Sequence, residues 1–117
     1  ENFKQIKYDK FINRAKTTSH ILAIINKRGS NPKIPAIEEL QATAMAVQNM
    51  QLAASAMGYA AYIHSGGMTS KLVMKEYLGF EKEDQVLGFL YLGIPNGTEK
   101  APGRRISKIQ NKVEWKE

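Results

Sequence analysis

An α+β fold, with a small mixed sheet covered by helices, is what this chain predicts, and three observations carry the expectation. Ala42 to Gly58, ATAMAVQNMQLAASAMG, runs for seventeen residues without a charge. Three short apolar runs, Ile21 to Ile25, Tyr59 to Ile63 and Val86 to Ile94, have the length and the β-branched or aromatic content of strands. These runs alternate with segments of helical pattern. So few strands beside so long an apolar helix describe a unit that something else completes, either a partner subunit or a further segment.

Taken in order, Phe3, Ile6, Phe11 and Ile12 lie among Lys4, Lys7, Lys10 and Arg14 and predict an amphipathic helix from about Phe3 to about Ala15. Thr17, Thr18 and Ser19 break that pattern, and ILAII then reads as an interior strand. Gly29, Pro32 and Pro35 make a surface loop of Asn26 to Pro35. The central helix is expected from about Ala36 to Met57. Glu38 and Glu39 suit the positive end of its dipole, its alanines cost little side-chain entropy, and Gly58 suits a left-handed C-terminal cap. Thr43, Gln48, Asn49, Gln51 and Ser55 make it too polar for an easy membrane span, so shelter by protein on several sides is expected instead.

Tyr59 to Ile63 reads as a strand or extended segment, and Ser65-Gly66-Gly67 as a flexible turn after it. Thr69 or Ser70 is expected to cap a short helix that runs through Leu78 and ends at Gly79. VLGFLYLGI, from Val86 to Ile94, is the strongest strand, and its apolar character on both faces implies cover on both sides. Pro95 stops it. A loop and a tail follow, with Ile106, Ile109, Val113 and Trp115 as isolated apolar anchors among charges.

A length of 117 residues corresponds to a single domain, residues 1–117, and 43% hydrophobic with 24% charged residues is a globular composition. No run resembles a signal peptide or a span, so no membrane association is expected. The absence of cysteine excludes disulfides and thiolate chemistry within these residues and fits a cytoplasmic setting. Because the chain opens on Glu1 rather than Met, it is expected to be part of a longer protein.

The net charge of +6 is uneven. Glu1 to Lys33 holds eight Lys or Arg against two acids, Ile34 to Glu99 three against seven, and Lys100 to Glu117 six against two. Basic ends suit a phosphate-bearing small ligand or nucleic acid, or simply a solvated surface. A small basic module that binds nucleic acid or phosphate is thus the alternative to an enzyme, although no aromatic-basic motif of a nucleic-acid reader supports it.

His20 and His64 stand 44 positions apart with no acid near either in sequence, so a metal site or a Ser-His-Asp arrangement has little support. His20 enters a strand and reads as structural. His64 lies in YIHSGG, where a strand ends and glycines allow close approach to the backbone; a plain strand-to-helix turn explains it as readily as a ligand site. Ser65-Gly66-Gly67 is too short for a dinucleotide fingerprint and is not a P-loop. Arg104 and Arg105 suit a phosphate, with a solvated basic tail as the other reading.

From Gln41 to Pro95 the sequence resembles the FMN-dependent nitroreductase family, especially its short bacterial branch. The carriers are QATAMAVQNMQLAASAMGYAAYIHSGG, then VMKEYLGF, then DQVLGFLYLGIP, in that order and at familiar spacing. The resemblance implies a homodimer whose long central helices pack together, with one FMN in each of two clefts at the interface. It implies flavin contacts from Ile63, His64 and Ser65, where many members carry Trp-Arg in place of Ile63-His64. It also implies that a basic residue near the C-terminus holds the FMN phosphate; Arg105 matches best and Arg104 is the alternative. NAD(P)H would deliver hydride to flavin N5, and the reduced flavin would pass electrons to a small acceptor such as a nitro compound or quinone. The cofactor carries that chemistry, so no general acid, base or nucleophile is assigned. The Arg-rich helix and Pro-Ser segment with which family members open have no counterpart in Glu1 to Lys33. The chain is therefore expected to be the C-terminal part of such a domain.

Overall fold

A computed structural model describes residues 4–97 and 107–116. Along the chain these form α1 (Gln5–Thr17), β1 (His20–Asn26), α2 (Ala36–Ala56), β2 (Ala60–His64), α3 (Leu72–Leu78) and β3 (Gln85–Gly93), with a short 3-10 turn at Ile109–Asn111. The three helices and three strands match expected elements to within a few residues, and the 3-10 turn falls in the stretch expected to be a tail. The ends of α2 and α3 follow from glycine. Gly58 and Gly79 both take positive φ, and at Gly58 the N–H bonds Ser55 O while the Tyr59 N–H bonds Ala54 O, the paired closure that a residue without Cβ permits.

The sheet order is β1-β3-β2, and both ladders are antiparallel. Here the expected mixed sheet gives way to an antiparallel one among the described residues. β1 and β2 do run parallel to each other, with α2 as the crossover between them, but β3 is inserted in the gap and takes the hydrogen bonds of both. Register fixes which side chains share a face. Leu22, Leu90 and Ile63 stand abreast on one, and Ile21, Tyr91 and Tyr62 on the other.

α2 covers the Leu90 face. Leu90 is fully buried, with Ile24 and Val47 against it and Ala61, Ile63 and Leu92 around them. The expectation that β3 is covered on both sides holds for this face only. Val86, Gly88 and Leu90 are buried while Leu87, Phe89 and Tyr91 are half-buried, because α1, the element on the Tyr91 side, buries none of its residues. Likewise α2 buries one stripe, Val47 and Ala54, and Met45 and Leu52 on its far side are 64% and 59% exposed. The shelter anticipated for the uncharged helix is thus one-sided within this chain. The radius of gyration, 17.8 Å, exceeds the roughly 13 Å of a closed domain of this size, as an open arrangement must.

The loop between β1 and α2 is held by polar contacts. Asp84, nearly buried, accepts from the N–H of Arg28 at 3.1 Å and of Glu81 at 3.2 Å, and Lys75 Nζ donates to the Asp84 carbonyl. Arg28 pairs with Glu39, which also accepts from the Gly29 N–H. One carboxylate therefore ties the β1 exit to the turn before β3, and the other ties it to the first turn of α2.

Candidate functional site

A cleft of about 740 Å³ opens on the Tyr91 side of the sheet, between α1, the end of β2 and the loop that follows it. Its floor comes from the twofold period of β2, which puts Tyr62 and His64 on one face and Ile63 on the other. The Tyr62 and His64 rings lie 6.1 Å apart, 18° from parallel, and Tyr62 meets its cross-strand partner Tyr91 at 6.4 Å. Arg14 Cζ sits 5.9 Å and 5.3 Å from the centroids of Tyr62 and Tyr91, so the guanidinium is held against two π faces.

The α1 wall is cationic. Lys7, Lys10 and Arg14 follow at i, i+3 and i+7, with Phe11 between, and all four line the cleft. Asp9 is on the opposite side of the helix, accepting from Gln5 Nε2 at 2.7 Å. The third wall is the loop of Gly66, Gly67, Met68, Ser70 and Lys71. No acidic side chain lines the cleft among the described residues.

Thr69 shapes the loop rather than capping α3. Its hydroxyl donates to the carbonyls of Ser65 at 2.7 Å and Gly66 at 3.1 Å, and Ser70 bonds Gly67 O. The N-cap of α3 is Lys71, without a side-chain cap. The expected Thr69 or Ser70 cap fails because both hydroxyls find a nearer carbonyl behind them. Gly66 leaves room for the His64 ring. A Cβ there would stand 2.7 Å from His64 Nε2, where the imidazole now lies.

Of the five residues expected to hold a cofactor, His64 presents its ring to the cleft. Ile63 turns its side chain into the core beneath and does not line the cleft. Ser65 serves the turn through its carbonyl. Arg104 and Arg105 lie outside the described residues. The α1 cations and Tyr62 were not singled out from the sequence; a basic helical face at i, i+3 and i+7 was the available signal. His20 lies apart, on an apolar groove of about 540 Å³ that Met50, Met57, Leu92 and Ile94 help to form.

The model of the family described as Nitroreductase family matches residues 1–94, most of the chain. The chain belongs to the nitroreductase family. Its relatives include the protein named Putative NAD(P)H nitroreductase YdjA, from Escherichia coli K12 and from Escherichia coli O157:H7, each 35% identical over 91 residues. Those matches take in 74% of this chain and 50% of each relative, so the chain spans about half their length. Among solved structures, the crystal structure of a nitroreductase-like family protein from Bacillus cereus superposes with a TM-score of 0.77 at 25% identity, covering 98% of this chain and 62% of that one. A nitroreductase-like α+β fold is therefore established for the chain.

Proposed function

We propose that this chain is the C-terminal part of an FMN-dependent NAD(P)H oxidoreductase of nitroreductase type, acting as a homodimer in the cytoplasm on a small acceptor such as a nitro compound or quinone. One observation carries the reading: the cleft beside His64 joins stacked aromatic rings to a wall of cations without an acid. A planar, phosphorylated, anionic ring system is the ligand such walls suit, since rings stack and cations balance phosphate. The residues present therefore fit a flavin mononucleotide, and the name of the Escherichia coli relative, an NAD(P)H nitroreductase, supports a reductase supplied by NAD(P)H.

Bound there, FMN would supply the two-electron chemistry that links NAD(P)H to the acceptor. The chain's own residues bind and orient. The ring of His64 lines the site, and the family resemblance assigns the neighbouring Ile63 and Ser65 to the flavin as well. Arg14, fixed by Tyr62 and Tyr91, brings a positive charge whose proximity favours an electron-rich ring. Arg105, or Arg104, takes the phosphate. The far side of α2, with Met45, Leu52 and Ile37 exposed and no charged residue from Leu40 to Ser70, is the surface for a second copy.

Anaerobic reduction tests this. The intact parent protein, loaded with FMN, should lose its flavin absorbance on adding NADPH or NADH and regain it on adding a nitroaromatic or a quinone. Flavin that stays oxidised with both donors would refute the proposal.

A further inference from the structure

We infer that the cationic face of α1 receives the phosphates of the pyridine-nucleotide donor and selects the donor with the additional 2′-phosphate, NADPH, over NADH. The inference rests on the reading above, in that a dinucleotide enters this cleft.

Position divides the cations into two sets. Arg14 is committed to the rings of Tyr62 and Tyr91 at the floor. Lys7 and Lys10 line the same cleft from earlier turns of the helix and are exposed. Seven residues of helix cover about 10 Å, so the stripe leads from the floor out along the wall. Lys10 and Lys7 stand about 6 Å and about 10 Å of helix rise away from Arg14, the cation that is held at the rings. They lie where the distal part of a longer ligand passes.

The two donors differ by one phosphate, close to two negative charges near neutral pH. A wall with acids would repel that difference, and a neutral wall would ignore it. This wall holds only cations among its described ionisable residues apart from His64 and the Tyr62 phenol. Lysine is a mobile point charge that meets a phosphate without requiring one fixed geometry, as suits a group that must also leave. An exposed contact of this type changes affinity by up to about fivefold for each lysine.

The probes are adenosine 2′,5′-bisphosphate and 5′-AMP, titrated calorimetrically into the intact parent protein with and without FMN. The bisphosphate should bind about fivefold tighter or more at low ionic strength, and the gap should narrow as salt is raised. Lys7→Gln and Lys10→Gln should each narrow it and the double variant should close it. Lys16→Gln, on the same helix but outside the cleft lining, should leave it intact. With FMN bound, the NADPH to NADH ratio of kcat/KM should fall in parallel, through KM.

Equal binding of the two probes, or a gap that survives the double variant with the melting temperature unchanged, overturns the inference. So does a gap that Lys16→Gln closes as well. The two readings fail separately. Flavin that bleaches equally well with either donor removes this selection and keeps the flavoenzyme. A probe gap that the double variant abolishes, in a protein that takes up no FMN, removes the flavoenzyme and keeps the phosphate wall.

Discussion

Gly88→Ala puts the contact between fold and site under test. Gly88 is buried in β3, and a Cβ there would meet the His64 carbonyl oxygen at 3.1 Å and Ile63 Cγ1 at 3.3 Å. The Ile63 methylene can rotate away, whereas the carbonyl belongs to the β2 backbone that pairs with β3, so relief requires the end of β2 to shift by tenths of an ångström. Overpacking of this kind costs about 1–3 kcal/mol. Replacing glycine within a strand returns roughly 0.5–1 kcal/mol, which leaves a net loss on the order of 1 kcal/mol. Urea unfolding of the intact protein reads this as a lower midpoint at unchanged slope. Because β2 leads directly into the cleft, FMN affinity should fall as well. An alanine variant as stable as the wild type, with affinity intact, would mean that β2 does not bear on Gly88 as described.

Leu90→Ala removes the one large side chain that is fully buried among the described residues and should cost about 2–5 kcal/mol in the same unfolding assay. Asp84→Ala leaves the N–H groups of Arg28 and Glu81 without their acceptor, for a loss of about 1–3 kcal/mol and faster amide exchange at those two positions. Gly66→Ala is expected to behave differently. The atom it displaces is the mobile end of His64, so stability should change by less than about 1.5 kcal/mol, the scale of a rotamer adjustment, while FMN binding weakens.

The elements were legible because their signals are local. An uncharged run closed by glycine, short apolar strands and glycine stops each depend on a few neighbouring residues. What escaped depends on the tertiary arrangement. The insertion of β3 between β1 and β2, and the irregularity at Ile24/Ile25, are set by pairing partners far apart in sequence. A basic helical face also reads the same whether it meets water or a cleft, so Lys7, Lys10 and Arg14 passed as the solvated side of α1. At the site, the segment Ile63 to Ser65 is expected from the sequence to contact a cofactor, and its side chains divide by strand parity. His64 faces the cleft and Ile63 the core, a distinction that the alternation of β2 contains once the buried face is known.

The most direct measurement is a fluorescence titration of FMN into the intact protein and into its Arg14→Gln and His64→Ala variants. Saturable quenching is expected with the wild type and clearly weaker binding with each variant, their melting temperatures staying close to that of the wild type. Free flavin emission that the wild type leaves unquenched, or variants that bind FMN as tightly as the wild type, would contradict the claim that the cleft between α1 and the end of β2 is the flavin site.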